Sequence, residues 1–260
     1  EMQHYNMPSM RRLIFNKQIS KVDLLKWTDK IINFNKKLLT FEEQPVDDSY
    51  MHDLHWSRYY DRRIELSNRS KVFEKVFKEE KLTINESELL SPNFIVDELV
   101  KREKELRPKK AGKFSHSDLH FSNILLDLEK EKFIFIDPRG YPRCDINYDL
   151  GKVWHSVNGK YEMVANGFWT KGAGLDYSLI KNDYFNFLED LKEPIAKILC
   201  KYSLENSKAE AMKLIEFNEA MHFITLVPFQ IVDDGIEDKA LVAFAIGVEL
   251  LNDFWRKYYE

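Results

Sequence analysis

Several residue types are scarce in this 260-residue chain, and each scarcity excludes a class of protein. The two cysteines, Cys144 and Cys200, cannot form a disulfide framework, and they favour a reducing compartment. The longest apolar run, from Ala240 to Ile246, is far too short to cross a bilayer. The formal net charge of -4 gives no basic field for nucleic acid or an anionic membrane, and no export signal opens the chain. We therefore expect a cytoplasmic protein with no nucleic-acid partner and no membrane span.

Glycine is also missing from the first 111 residues, where helical patterns predominate. Ser20 followed by Asp23 forms a capping box, the signature of a helix start. The helix that follows carries Leu24, Trp27, Ile31, Phe34 and Leu38 on one predicted apolar face. Residues 68–93 are polar and weakly patterned. Helices are predicted over about 20–38, 51–66, 94–106, 148–157, 183–202 (interrupted near Pro194), 208–226 and 237–258.

The pattern changes between residues 114 and 137. Two short apolar runs, 124–126 and 133–136, flank a charged turn, which is typical of a β-hairpin. Residues 137–142 must be irregular, because two prolines and a glycine break both ladders and helices. The predicted fold class is mainly α with a small β-hairpin (α+β).

The hairpin carries the most informative polar residues of the chain. The stretch 116–123 has the pattern H-x-D-x-H-x-x-N, and Asp137 follows the second apolar run. The four fixed residue types would occur by accident in roughly one chain in a thousand of this length. An acid, an amide and a second acid are the groups that phosphoryl transfer needs. One carboxylate receives the proton of an attacking hydroxyl, and the other two groups hold Mg²⁺ on ATP.

These residues resemble the catalytic loop of the aminoglycoside phosphotransferase and choline kinase-like family, small-molecule kinases of the protein-kinase-like fold. That loop usually reads H-G-D-x-H-x-x-N. A subset with D-P-R-G and Y-D-L-A-K-x-x-H-S segments matches best, through residues 137–140 and 148–156. The resemblance implies ATP and Mg²⁺ as cofactors and a set of residue roles. Asp118 would be the catalytic base, Asn123 and Asp137 the metal ligands, and His116, His120 and Asp149 the structural support of the site.

The opening residues 1–10 resemble the hinge of the same family, and the backbone of Gln3 to Tyr5 would then face the adenine. Residues 11–260 would be the helical C-terminal lobe, carrying the catalytic loop (116–123) and the metal-binding Asp loop (137–140). Because no glycine precedes residue 112, a nucleotide-covering loop has no place upstream of the catalytic motif. The N-terminal lobe is therefore expected upstream of Glu1, and the chain alone is expected to bind ATP poorly and to be inactive. An arbitrary start of the chain explains the opening residues about equally well.

The expected function is ATP-dependent phosphorylation of a hydroxyl on a small polar metabolite, such as a sugar, an amino sugar or a choline-like alcohol. Asp233 and Asp234 are candidates for the acceptor pocket, although solvated loop acids are the simpler interpretation. A non-catalytic kinase-like binding module is the alternative. A protein kinase is disfavoured because His120 replaces the lysine that such enzymes carry after the catalytic acid.

Other interpretations of the same residues stay open at this point. His116, Asp118 and His120 alternate along the chain and could bind zinc, and Asp118 or Asp137 could simply cap turns. If the position of Ser117 needs a positive φ, serine there costs some strain. Arg139 is expected to pair with Asp145 or Asp149, whereas Trp154 and His155 are expected in the core.

Overall fold

The computed structural model describes residues 6–112, 114–139, 143–234 and 237–260, and the side chains of 232–234 fall outside this description. The hinge positions Gln3 and Tyr5, the end of the Asp loop at Gly140, and the side chains of Asp233 and Asp234 therefore lie outside the described residues.

Helices make up most of the described chain, 61% of its residues, which confirms the mainly α class. They are α1 (Met10–Phe15), α2 (Lys21–Thr40), α3 (Ser57–Arg69), α4 (Lys71–Val76), α5 (Pro92–Lys101), α6 (Ile146–Val157), α7 (Tyr161–Ala165), α8 (Asp183–Glu189), α9 (Lys192–Tyr202), α10 (Lys208–Asp234) and α11 (Glu237–Tyr259). Shorter helical turns are His52–Trp56, a π-helical turn, and the 3₁₀ turns Glu103–Glu105 and Phe121–Asn123.

The strands are short and form two-stranded sheets. They are β1 (Glu43–Pro45), β2 (Lys81–Ile84), β3 (Ser87–Leu90), β4 (Lys110–Gly112), β5 (Ile124–Asp127), β6 (Lys132–Phe135), β7 (Trp169–Lys171) and β8 (Tyr177–Leu179). The pairs are β1 with β4, β2 with β3, β5 with β6 and β7 with β8, and the last three are antiparallel.

The chain divides into two compact units. Unit 1 consists of Glu1–Gln44, Lys110–Glu162 and Lys181–Met212, and unit 2 of Pro45–Lys109, Met163–Ile180 and Lys213–Glu260. The core of unit 1 includes Met10, Leu24, Ile32, Leu119, Phe121, Leu126, Leu150 and Ile195. The core of unit 2 includes Leu66, Phe73, Ile84, Val227, Phe244 and Val248. No helix in the described part of the chain combines the length and apolar character that crossing a bilayer requires.

The first long helix begins where the sequence predicts. The hydroxyl oxygen of Ser20 accepts a hydrogen bond from the amide of Asp23 at 3.1 Å, which caps α2. Leu24, Trp27 and Ile31 are buried as predicted. Phe34 and Leu38 are not buried, since 43% and 39% of their surfaces are exposed. The buried face at this end of α2 runs through Asn35 and Leu39 instead.

Two elements differ from the sequence prediction. The stretch 68–93 contains α4 and the hairpin β2–β3, which its weak pattern did not indicate. The break in the helical stretch 183–202 falls at residues 190–191, before Pro194. Pro194 lies in the first turn of α9, where the amide that proline lacks would have no helical partner.

The predicted hairpin that carries the polar cluster is present in unit 1. Ile124 pairs with Phe135 and Asp127 with Lys132, and the amide of Ile136 continues the ladder by donating to the carbonyl of Asn123 at 3.0 Å. The outer edge of β5 is partly covered, because Leu126 donates its amide to the carbonyl of Pro8 at 2.9 Å. The residues before and after the hairpin, 116–123 and 137–139, are thereby held at one end of it.

Candidate active site

The first residues of the loop 116–121 are held by one buried carboxylate, that of Asp149 in the first turn of α6. Asp149 accepts hydrogen bonds from the amides of His116 and Ser117, at 3.2 and 2.7 Å. The side chains of Asn35 and Ser115 also donate to it, at 3.1 and 3.2 Å. Burial raises the pKa of Asp149 despite these donors. The bonds expected of this residue from the sequence are thus present.

Asp118 lies at the centre of the loop with a cation on each carboxylate oxygen. The Lys152 ammonium, on a side chain that is 4% exposed, lies 2.9 Å from Oδ1. The Nε of Arg139 lies 3.8 Å from Oδ2, and the Nδ2 of Asn123 donates to Oδ2 at 3.4 Å. Arg139 is itself anchored to the loop, because its amide donates to the carbonyl of His116 at 3.1 Å.

These neighbours decide the charge of Asp118. Burial acts to raise the pKa of this carboxyl, but the positive charges of Lys152 and Arg139 outweigh it and hold the pKa well below the ordinary range. Asp118 is therefore ionised at neutral pH, with only 15% of its side chain exposed. A charged, nearly buried carboxylate can orient a hydroxyl and accept its proton only late in a reaction.

Both loop histidines hold backbone groups. The Nδ1 of His116 accepts from the amide of Asp118 at 3.2 Å, so its other nitrogen, Nε2, donates to the carbonyl of Ile136 at 2.9 Å. His120 accepts from the amide of Ser122 at 3.3 Å, and its ring packs edge-on against Tyr161. His116 thus holds the loop through a ring N–H, as the resemblance implies, whereas His120 holds a backbone amide as an acceptor.

Asn123 and Asp137 lie near the same end of the hairpin along the backbone. The Ile136 amide donates to the Asn123 carbonyl at 3.0 Å, so Asp137 directly follows the residue that pairs with Asn123. The Asn123 Nδ2 donates to the Asp118 carbonyl at 3.0 Å. Asp137 is exposed, and no described residue hydrogen-bonds its carboxylate. An amide oxygen and a carboxylate are the kinds of ligand that Mg²⁺ prefers.

A second buried network holds the far end of the loop. The amide of Phe121 donates to the Ser156 hydroxyl at 3.0 Å, and that hydroxyl donates to Glu162 at 3.0 Å. The same Glu162 oxygen lies 3.5 Å from the Nδ1 of His120. Sequence reasoning found no role for Lys152, Ser156 or Glu162. Two signals were available. The spacing of Lys152 and Ser156 after Asp149 places the three on one helical face. Lys152 and Ser156 also match fixed positions of the Y-D-L-A-K-x-x-H-S segment.

The structure also bears on zinc binding, on the burial of Trp154 and His155, and on the partner of Arg139. Zinc binding is not supported, since the described residues contain no group of three His, Cys, Asp or Glu able to hold a metal ion. Trp154 and His155 are buried as predicted, with 6% and 1% of their surfaces exposed. The Nε of Arg139 lies 3.8 Å from Asp118, an acid that the sequence did not favour as its partner.

Ser117 has a positive φ of 62°, the conformation for which glycine is the default residue. Its hydroxyl lies 3.0 Å from that of Ser115 and donates to the Cys144 sulfur at 3.4 Å. Left-handed backbone costs an ordinary residue about 1–2 kcal/mol. The bonds of Asp149 to the two loop amides hold the loop in this shape.

Comparisons with known proteins add no further assignment. No model of a protein family matches the chain, and neither the curated proteins nor the solved structures contain a match.

Proposed function

We propose that this chain carries the acceptor side of an ATP-dependent phosphotransferase, which transfers a phosphoryl group to a hydroxyl of a small polar metabolite. The observation that carries the proposal is the carboxylate of Asp118, which lies between two cations and accepts a hydrogen bond from Asn123. Two carboxylates, of Asp118 and Asp137, and the amide of Asn123 thus flank one hairpin in the chain. The resemblance of residues 116–123 and 137–156 to small-molecule kinases of the protein-kinase-like fold supports the same conclusion.

In this proposal Asp118 acts on the acceptor hydroxyl. Its carboxylate accepts a hydrogen bond from the hydroxyl and orients a lone pair toward the γ-phosphorus of ATP. As the new O–P bond forms and the bond from phosphorus to the leaving oxygen breaks, the hydroxyl proton passes to Asp118 and then to solvent. Because the pKa of Asp118 is low, orientation contributes more than proton abstraction.

Asn123 and Asp137 would hold Mg²⁺ through Oδ1 and a carboxylate oxygen. The available donor set fits this hard cation, which binds few protein ligands and keeps phosphate oxygens and waters. The ion would neutralise the charge that develops on the transferred group. His116, His120 and Asp149 support the loop, and the hinge of the resembled family would place the adenine near Gln3 and Tyr5.

The direct test uses the full-length protein that the gene encodes. The protein is incubated with radiolabelled ATP, Mg²⁺ and a panel of sugars, amino sugars and amino alcohols. We expect one class of alcohol to become phosphorylated and Asp118→Asn to abolish that turnover, with a melting temperature within a few degrees of wild type. Unfolding of the Asp118→Asn variant would show that the acid is structural instead.

The metal site is testable on this chain alone. Mn²⁺ replaces Mg²⁺ as a paramagnetic probe, and its binding is followed by electron paramagnetic resonance. We expect Asp137→Asn and Asn123→Leu to weaken binding, whereas Asp127→Asn, at the other end of the hairpin, leaves it unchanged. Equal binding by all three variants would remove the metal assignment.

A non-catalytic binding module is the second candidate. The observation that favours it is the contact of 2.9 Å between Lys152 and Asp118, which occupies one carboxylate oxygen. Calorimetric titration with Mg²⁺–ATP separates the candidates. Binding without turnover of any alcohol supports the module, and phosphorylation of one supports the enzyme.

A further inference from the structure

One face of α6 contacts the catalytic loop at three successive points. Asp149, Lys152 and Ser156 are spaced i, i+3 and i+7, which places them on the same side of a helix. All three are buried, with 0%, 3% and 0% of their surfaces exposed. A helix face buried in this way normally carries apolar side chains, so three polar ones need partners.

The partners follow the order of the loop. Asp149 accepts from the amides of His116 and Ser117. Lys152 donates to the side chain of Asp118, and Ser156 accepts from the amide of Phe121. Helix α6 therefore contacts the loop along its length. It binds backbone groups at both ends and the side chain of Asp118 in the middle.

That middle contact selects one oxygen of Asp118. Oδ1 lies 2.9 Å from the Lys152 ammonium, a short charge-assisted contact. The neighbours of Oδ2 are more distant: the Nδ2 of Asn123 at 3.4 Å and the Nε2 of His120 and Nε of Arg139 at 3.8 Å each. Oδ2 is therefore the oxygen without a short hydrogen bond to a described residue, and it can accept one from a substrate.

We propose that Lys152 is a positioning residue, whose ammonium fixes the side chain of Asp118 so that Oδ2 receives the acceptor hydroxyl. The inference rests on the proposed function and adds a residue to it. Lys152 reaches the site from a separate helix and acts through Asp118. A bound Oδ1 removes the freedom of the carboxylate to rotate, and orientation is the main contribution expected of this acid.

The test compares Lys152→Met, which removes the charge, with Lys152→Arg, which keeps it. The protein is again the full-length gene product. The substrate is Mg²⁺–ATP with water as the acceptor, and the rate is measured as the release of inorganic phosphate. We expect Lys152→Met to lower kcat about 100-fold with little change in the KM for ATP, and Lys152→Arg to recover most of that loss.

Lys160 provides the matched control. It is also a buried lysine of unit 1, 2% exposed, and it pairs with Glu189 away from the loop. Lys160→Met removes the charge of a buried lysine that pairs with a partly exposed acid, so it should destabilise the fold without lowering kcat. If both methionine variants lower kcat equally, or if arginine fails to restore activity at position 152, Lys152 is structural and the inference is overturned.

A thermodynamic cycle tests the contact without any activity. Melting temperatures are measured for Asp118→Asn, Lys152→Met and the double variant. We expect the double variant to be more stable than the sum of the single losses predicts, because the second change removes a buried charge that the first left alone. Additive losses would overturn the inference and leave the proposed function standing. Coupled losses with no phosphoryl transfer by wild type would overturn the proposed function instead.

Discussion

Helices α6 and α11 are both buried, but they use their buried residues differently. All twelve residues of α6 are buried, and five of them carry polar or charged side chains: Asn147, Asp149, Lys152, His155 and Ser156. The buried positions of α11 are apolar or small except for Asn252. Burial of a polar group costs free energy unless it is bonded, so α11 is built for packing and α6 is built to hold other residues in place.

The buried polar side chain of α11, Asn252, shows the same principle on a smaller scale. Asn252 accepts from the amide of Leu90 at 2.9 Å and donates to its carbonyl at 3.0 Å, which fixes the end of β3. Asp149 of α6 instead binds two amides and two side chains. Three of these four partners belong to an irregular segment, residues 115–117, and the fourth is Asn35 of α2.

The largest effect is expected at Asp149. Asp149→Ala leaves buried loop amides without acceptors and should lower the free energy of unfolding by about 3–5 kcal/mol. Asn252→Ala removes bonds to Leu90 and to the Val248 carbonyl and should cost about 1–3 kcal/mol. Denaturant titration of both variants measures the difference. Equal losses would show that the two helices do not differ in the way their burial suggests.

Overpacking should affect α11 next. A β-carbon added at Gly247 would lie 2.8 Å from the Cγ1 of Ile224 and 3.1 Å from its backbone nitrogen. Because backbone cannot yield as a side-chain end does, Gly247→Val should destabilise the protein by about 2–3 kcal/mol. The exposed Asp238, on the same helix, is the control, and Asp238→Val should cost about 0.5 kcal/mol. A stable Gly247→Val variant would mean that α11 packs more loosely there.

His155 gives α6 a pH dependence. Burial, together with the charge of Lys152, lowers the pKa of His155 well below its ordinary value. Below about pH 6.5 the unfolded chain binds a proton at this position and the folded chain does not, so stability falls as the pH falls, by at most about 1.4 kcal/mol per pH unit. In His155→Phe that contribution disappears. Between pH 7 and 5 the free energy of unfolding of wild type should fall relative to that of the variant, and a difference that does not change with pH would contradict the assignment.

The smallest effect concerns the strain that α6 imposes on the loop. Ser117→Gly should be more stable than Ser117→Ala by about 1 kcal/mol, because both lose the hydroxyl and only glycine accepts the positive φ without cost. Thermal melts of the two variants provide the measurement. An alanine variant of equal stability would indicate that the loop relaxes.

Local signals in the sequence predicted the elements that depend on neighbours along the chain. The capping box at Ser20 and Asp23 marks the start of α2, and the two apolar runs around 127–132 mark the hairpin β5–β6. Hairpin β2–β3 escaped prediction because its turn, Asn85 and Glu86, adopts positive φ angles without the glycine that usually signals them.

The site was predicted only as far as the loop itself. The polar pattern of residues 116–123 identified Asp118 and Asn123, since their spacing is local. The partner of Asp118 is Lys152, which follows it by 34 residues and lies on a separate helix. Local spacing in the sequence does not connect the two residues. The contact between Arg139 and Asp118 likewise depends on the tertiary fold of the loop, so helical spacing could not predict it.

The short segment at Pro8 and Ser9 has a consequence for solubility. Ser9 bridges to Leu125, and the carbonyl of Pro8 bonds the amide of Leu126, so these residues occupy part of the open side of a ribbon that is only two strands wide. Unprotected ribbon edges recruit edges of other molecules. Deletion of residues 1–9 should therefore promote self-association. Light scattering would detect this before any change in helix content.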